Sequence, residues 1–245
     1  MPEQNASVST SNVQKLAVPI AIVVAGALIA GAVYFSGAKA PAAGGAPTQA
    51  VDIKDVKISA SDPFIGKADA PVTLAYWSDY QCPFCKAVET GGVQGININP
   101  SIPTLIKDYV DTGKLRIVFK DYPFLGEDSL TAALYEHAVW ETYPDKFYAW
   151  RAAMFAAQDD EGDQGFGDEA SIIALSKKIS GIDAAKLKAL VASKKDAYTK
   201  FIQDDLTEGS GFGISGTPGF ITGKTLIAGA DDISAFTKAI DAQLK

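Results

Sequence analysis

Cysteine is almost absent from this chain. Only Cys82 and Cys85 occur in 245 residues, and histidine occurs once, at His137. A structural zinc site takes about four ligands, so no metal is expected. A scaffold built on several disulfides is excluded as well. There is no Lys/Arg-rich block, and the net charge is −7, so nucleic acid is not an expected partner. No internal repeat is visible, and nothing in the chain calls for a cofactor.

Charge is missing altogether from Leu16 to Phe35. Twenty apolar residues can cross a bilayer core of about 30 Å. A secretory signal has an apolar region of about 7–15 residues, which is shorter. The expected organisation is an N-terminal tail (1–15), a transmembrane anchor (16–35) and a flexible linker (36–50). Cleavage after Ala38, behind the small residue Ser36, is the alternative. Lys15 and Lys39 flank the span evenly, so the positive-inside rule says little. The linker is rich in Ala, Gly and Pro and has no apolar period. Hydrophobic residues make up 47% of the chain, so residues 51–245 can build a sizeable core.

The two cysteines form one motif, Cys82-Pro83-Phe84-Cys85, directly after the apolar run Val72 to Trp77. One helical turn starting at Cys82 brings both sulfurs to the helix N-terminus. Free amide N–H groups and the helix dipole there favour a thiolate. Pro83 suits that first turn, where its missing N–H is no loss. Thiolate is the nucleophile of disulfide exchange, and Cys-X-X-Cys motifs lower the first thiol's pKa. As a structural staple the pair would constrain the unfolded chain little, because its loop is short. The reading is a reversible dithiol–disulfide couple. Such a couple behind a membrane anchor fits an oxidising space, so the catalytic domain is expected on the extracytoplasmic side of the cell membrane.

Periodicity predicts an α/β fold. Val51–Ile58 alternates as a half-buried strand, Val72–Trp77 reads as a central strand, and Leu115–Lys120 as another. A short helix is expected from Cys82 to Glu89 and a second from Ile102 to Asp111. The helices of the middle are expected at 129–142, 145–158, 168–180 and 183–208, with Ser129, Asp145, Asp168 and Asp183 as N-caps. A strand pair at 219–222 and 225–228 precedes a last helix at 232–244.

Ser78-Asp-Tyr-Gln-Cys-Pro-Phe-Cys-Lys86, preceded by Ala70-Pro-Val-Thr-Leu74, resembles the DsbA-type thiol–disulfide oxidoreductases, in particular their membrane-tethered or secreted bacterial branch. Asp111-Thr-Gly-Lys-Leu-Arg116, Asp121-Tyr-Pro123 and Ser215-Gly-Thr-Pro-Gly-Phe220 fit the same pattern in the same order. The likeness runs from Val51 to Lys245. It implies a thioredoxin-like fold with an inserted all-helical domain at about 127–208. It also implies that Pro218 is a cis proline, with Thr217 before it, facing Cys82 and Cys85. Cys82 would be the exposed attacking sulfur and Cys85 the buried resolving one. The substrates implied are cysteine-containing exported polypeptides, and a quinone-linked thiol oxidase in the membrane would reoxidise the pair.

Two positions depart from the family pattern. Relatives often carry a buried carboxylate six residues before the first cysteine, where this chain has Tyr76. The strongest oxidants have histidine where this chain has Phe84. An oxidant of intermediate strength is therefore expected. The Gly91–Pro100 loop looks like an insertion after the active-site helix. Asp79 is expected to cap that helix rather than act on Cys85. Phe84, Tyr80, Phe212 and Phe220 are expected to line an apolar groove beside the sulfurs.

The remaining polar and aromatic candidates have bland readings. His137 is expected to be a packed or surface helix residue, since nothing near it in the sequence completes a site. Asp159 to Asp163 fails the calcium-loop spacing at Gln164 and Ala170 and reads as a solvated acidic loop. Phe147, Tyr148, Trp150 and Phe155 are expected to pack the helical block. The function expected is a thiol oxidase. A reductase or isomerase kept reduced by a membrane donor, or a peptide-binding module without turnover, are the alternatives.

Overall fold

The computed structural model describes residues 51–159 and 165–245. The expected tail, anchor and linker lie outside these residues. Among the described residues no helix is long and apolar enough to cross a membrane.

Five strands make one sheet in the order β1-β3-β2-β4-β5. They are β1 (Phe64–Ile65), β2 (Val72–Ser78), β3 (Leu115–Asp121), β4 (Gly219–Thr222) and β5 (Thr225–Ala228). The central pair, β2 and β3, is parallel, with Val72 opposite Leu115 and Ser78 opposite Asp121. Parallel strands need a crossover, and helices supply it. These are α1 (Pro83–Glu89) and α2 (Ser101–Leu105), the latter running on as a π-helical turn over Ile106–Val110. β4 joins β2 antiparallel, with Gly219 opposite Trp77.

The sheet is buried on both faces, so β2 reads as a continuous apolar run. Val72, Leu74 and Tyr76 enter the larger core with Cys85 and Val88. Ala75 and Trp77 point the other way, to Val51, Val56, Ile214 and Ile221. Between β3 and β4 run four helices: α3 (Glu127–Thr142), α4 (Phe147–Ala157), α5 (Glu169–Ser176) and α6 (Ala184–Gly211). Phe147, Trp150 and Phe155 are buried in this block, as their periodicity predicts. Helix α7 (Ile233–Asp241) closes the chain, with Phe236 set edge-on to Phe220 at 4.8 Å.

Several elements differ from expectation. Val51–Ile58 is not a strand. Asp52 accepts from the Lys54 N–H and turns the backbone into a 3₁₀ turn, Ile53–Asp55. Its alternation marks burial of Val51 and Val56 all the same. Phe64–Ile65 is a strand too short to show a period. Asp168 and Asp183 cap α5 and α6 as expected. Ser129 and Asp145 do not cap. Helix α3 begins earlier, behind Gly126 at φ +116°, and Asp145 sits inside a 3₁₀ turn after Pro144.

Candidate active site

The turn from β2 into α1 sets the two sulfurs. Cys82 occupies the N-cap of α1 with extended backbone, and its carbonyl accepts the Lys86 N–H at 3.1 Å. Pro83 is the first helical residue. Cys85 lies one turn inside, and both thiols are free. Cys82 is 4% exposed and Cys85 0%. The outer sulfur is thus more covered than the sequence suggests, because the carbonyl of Thr217 lies over it, 3.3 Å from Sγ.

The Thr217–Pro218 peptide bond is cis and leads straight into β4. Strand β4 pairs with β2, which delivers the cysteines, and this pairing brings two segments 135 residues apart to one point. Beside them opens a groove of about 420 Å³, lined by Phe84, Ile214, Ser215, Gly216, Thr217 and Ala228 among others.

The two thiols have opposite acidities. A hydrogen bond from Cys85 is the largest influence on Cys82 and outweighs its burial. With the backbone N–H groups of Phe84 and Cys85 it lowers the Cys82 thiol to about 7. Burial and the neighbouring Cys82 charge push Cys85 well up. The arrangement suits one thiolate and one thiol sharing a proton, with the charge on the outer sulfur.

Asp79 does not cap α1, whose N-cap residue is Cys82 with no side-chain cap bond. Its carboxylate accepts from Gln81 N–H at 2.8 Å, and from Phe124 and Leu125 N–H at 2.9 and 3.2 Å. It pins the β2–α1 turn to the segment after β3. Burial raises its pKa despite these donors.

The expected apolar groove holds only part of its residues. Phe84 is 49% exposed and stands in it. Tyr80 is instead stacked on Phe155 at 4.9 Å, and Phe220 on Tyr76 at 4.4 Å, both inside the core. Phe212 packs half-buried against Trp77. Phe124, 50% exposed, was not singled out by sequence.

Sequence reasoning also missed the residues that grip the site from the helical block. Gln158 donates from its amide to the carbonyls of Tyr80 at 2.6 Å and Cys82 at 3.1 Å. Its backbone carbonyl accepts from Lys86 Nζ at 2.7 Å. Gln81 donates to the Phe166 carbonyl at 3.0 Å. Beneath α1, Arg151 is fully buried. It donates to Glu89 at 2.8 Å, to Glu136 at 3.3 Å and to Ser78 Oγ at 2.7 Å. Its guanidinium lies 4.3 Å from the Phe119 ring centre and 5.1 Å from that of Tyr76. Glu89 follows Cys85 by four residues, on one helix face, and that spacing was the available signal. Gln158 and Arg151 had none, being 76 and 62 residues from their partners.

His137 is packed, as expected, but paired. Its Nε2 lies 2.7 Å from Asp121 Oδ2. Burial opposes its charge, and Asp121 overcomes that and raises it to about 9. Of the acidic loop, Asp159 is described and accepts from the Phe166 N–H at 2.6 Å. Residues 160–164 lie outside the described residues.

A β-α-β crossover that opens with a Cys-X-X-Cys turn, with a cis proline against it, defines a thioredoxin-type thiol–disulfide site. The family model described as "Thioredoxin" matches residues 59–242, and the chain belongs to that family. Its relatives place it among the DsbA-like thiol–disulfide oxidoreductases. "Disulfide bond formation protein D" of Bacillus subtilis (strain 168) is 27% identical over 183 residues, 75% of this chain and 77% of that protein. The "Probable disulfide bond formation protein D" of Bacillus anthracis is 25% identical over 185 residues, 74% of this chain and 77% of its own. The crystal structure of oxidised BdbD from Bacillus subtilis is similar with a TM-score of 0.66 and 27% identity. It covers 80% of this chain and 98% of that one. The thiol-disulfide exchange protein alpha-DsbA2 of Wolbachia pipientis gives 0.62 and 26%, over 74% of this chain and 87% of its own.

Proposed function

We propose that the chain is an extracytoplasmic thiol oxidase, with Cys82 and Cys85 as its redox pair and exported cysteine-containing polypeptides as substrates. The observation that carries this is the asymmetry of the two sulfurs. Cys82 is lowered to about 7 beside the groove, and Cys85 is raised in the core. In the oxidised enzyme a substrate thiolate attacks Cys82, and the electron pair of the broken bond leaves on Cys85. A second substrate thiolate then attacks the substrate's sulfur in the mixed disulfide. Cys82 leaves as thiolate, and the substrate departs with its own disulfide. The backbone of Thr217, over Cys82, aligns an extended substrate segment, and Phe84 offers it an apolar contact.

The same reading places residues 16–35 as a single membrane-spanning anchor, with 36–50 as its tether and 51–245 as the catalytic domain. The length of the uncharged run supports this. The tether keeps the domain near a membrane redox partner, a quinone-linked thiol oxidase, that removes the electrons.

The test is a redox titration of the full chain against glutathione. Without a charged residue at Phe84, the expected potential lies between that of a strong oxidant, about −120 mV, and that of a reductase, about −270 mV. A value at or below the latter would make the protein a reductase and refute the oxidase reading.

A further inference from the structure

A second cleft meets the reactive turn. It holds about 540 Å³ and is lined by Pro83, Lys86, Gly92, Val93, Gln94 and Gln158, with the exposed Asp159. Pro83 lines this cleft and Phe84 lines the groove, so the two openings share one turn of chain. Cys82 has a side toward each. Its sulfur lies under the carbonyl of Thr217, in the groove wall, and its own carbonyl accepts from Gln158, in the cleft wall.

One wall of the cleft belongs to the Gly91–Pro100 loop, whose ends are tied down. Gly91 N–H donates to the Lys86 carbonyl at 3.0 Å, a Cβ at Gly91 would lie 2.9 Å from Pro100 Cγ, and Ile98 packs on the core. Between these ends the chain turns through Gly92 and Gly95, at φ +74° and +83°, where other residues rarely go. Among the described residues, the main chain of Gly92 to Gln94 makes one hydrogen bond, in which Val93 O accepts from Ile96 N–H at 3.2 Å. Its other peptide groups are open, and Gly92 and Gln94 are exposed. An anchored loop with unspent peptide groups suits an extended chain, which carries unspent donors and acceptors of its own.

The two openings differ in chemistry. The groove offers Phe84, Ile214 and Ala228, and the cleft offers Lys86, Gln94, Gln158 and Asp159. Building on the redox reading above, we propose that the cleft is a second substrate subsite. It takes the polar flank of an extended cysteine-containing polypeptide whose other flank lies in the groove. The substrate sulfur has to reach Cys82 Sγ, and a polypeptide has chain on both sides of its cysteine. One side lies against Thr217 and Phe84. The other passes Pro83 and meets the Gln94 side chain and the open peptide groups of the loop. An apolar flank there would leave those groups without partners. These contacts align a polypeptide and take no part in the chemistry at sulfur, so a small thiol gains nothing from them.

The experiment compares the oxidised full chain, wild type and Gln94→Ala, in single turnovers with two reductants. One is dithiothreitol. The other is a peptide dithiol with several Ser, Asn and Gln residues beyond each end. Either dithiol leaves as a disulfide, and the Cys82–Cys85 disulfide becomes the dithiol. The readout is the ratio of the peptide rate constant to that of dithiothreitol, which cancels a change in the sulfurs themselves. Gln94→Ala should lower this ratio about fivefold, the worth of one hydrogen bond. Trimming one flank of the peptide should abolish that loss and trimming the other should not, a coupling that marks contact. Leucine in place of the polar residues of the sensitive flank should react no faster than the trimmed peptide. An unchanged ratio overturns the proposal. So does a loss that survives both trims, or a faster reaction of the leucine peptide. Folding is not expected to suffer, since Gln94 is exposed. If the wild-type chain oxidises neither dithiothreitol nor the peptide, the redox reading itself falls, and this subsite falls with it.

Discussion

The acidity of Cys82 makes a prediction for how the redox potential follows pH. Its thiol is lowered to about 7, mainly by the hydrogen bond from Cys85. An unconstrained thiol titrates near 8.5. The gap of about 1.5 units corresponds to about 2 kcal/mol in favour of the dithiol form. The pKa is depressed, so this stabilisation is fully present only above about pH 8.5 and is lost as pH falls through 7. At pH 7 only about 0.4 kcal/mol of it is expressed, or roughly 10 mV. Reduction takes up two protons below pH 7, so the potential should fall by about 59 mV per pH unit there. Above 7, Cys82 stays ionised and Cys85 alone is protonated, so the slope should halve to about 30 mV. Glutathione titrations of the full chain from pH 5.5 to 8.5 will show whether the break lies near 7. One unbroken two-proton slope across that range would refute the assigned ionisation. It would also remove the stated basis for treating Cys82 as the attacking and leaving sulfur.

Two further outcomes follow from groups away from the sulfurs. Gln158→Ala leaves the carbonyls of Tyr80 and Cys82 without their amide donor. It should lower unfolding free energy by about 1–3 kcal/mol, read from urea denaturation. The Cys82–Cys85 turn loosens as well, so alkylation of Cys82 should half-saturate at a higher pH than in wild type. His137 is raised to about 9 by Asp121, so its contribution, of order 3 kcal/mol, is complete below about 6.5 and is lost as pH rises through 9. Denaturation should show wild-type stability falling between those values, and a flatter profile in His137→Gln; matching profiles would refute the pairing.

How far the sequence reveals the fold depends on where each signal is stored. Strands β2 to β5 were legible because each carries its pattern within its own residues. Val72–Trp77 is buried on both faces and reads as one apolar run. Val51–Ile58 shows the limit of that signal. Alternation reports which side is buried, and Val51 and Val56 are buried. It does not report a ladder, and this segment makes a single backbone bond to the β4–β5 turn, from Ile53 N–H to Gly223 O at 2.7 Å. Capping failed for a similar reason. Asp168 and Asp183 stand directly before an apolar period, whereas the start of α3 is set by Gly126, whose positive φ no L side chain adopts easily.

The site divides along the same line. Cys82, Cys85, Thr217 and Pro218 lie in two short motifs, and the pairing of β2 with β4 brings those motifs together. Asp79 was visible as a residue but not in its role. Its partners at Phe124 and Leu125 come from across the sheet, and no local pattern shows that an aspartate serves two distant N–H groups instead of the next helix. Arg151 lies further out of reach. It is a cation in an apolar helix, and sequence alone would put it at the surface. It is fully buried because Glu89 and Glu136 neutralise it and four rings surround it. An ion pair so deep is weak evidence for stability, because desolvation offsets its attraction. What it fixes is position. Glu89 ends the helix that starts at Cys82, and Ser78 ends the strand before it. One guanidinium bonded to both holds the reactive turn from each side.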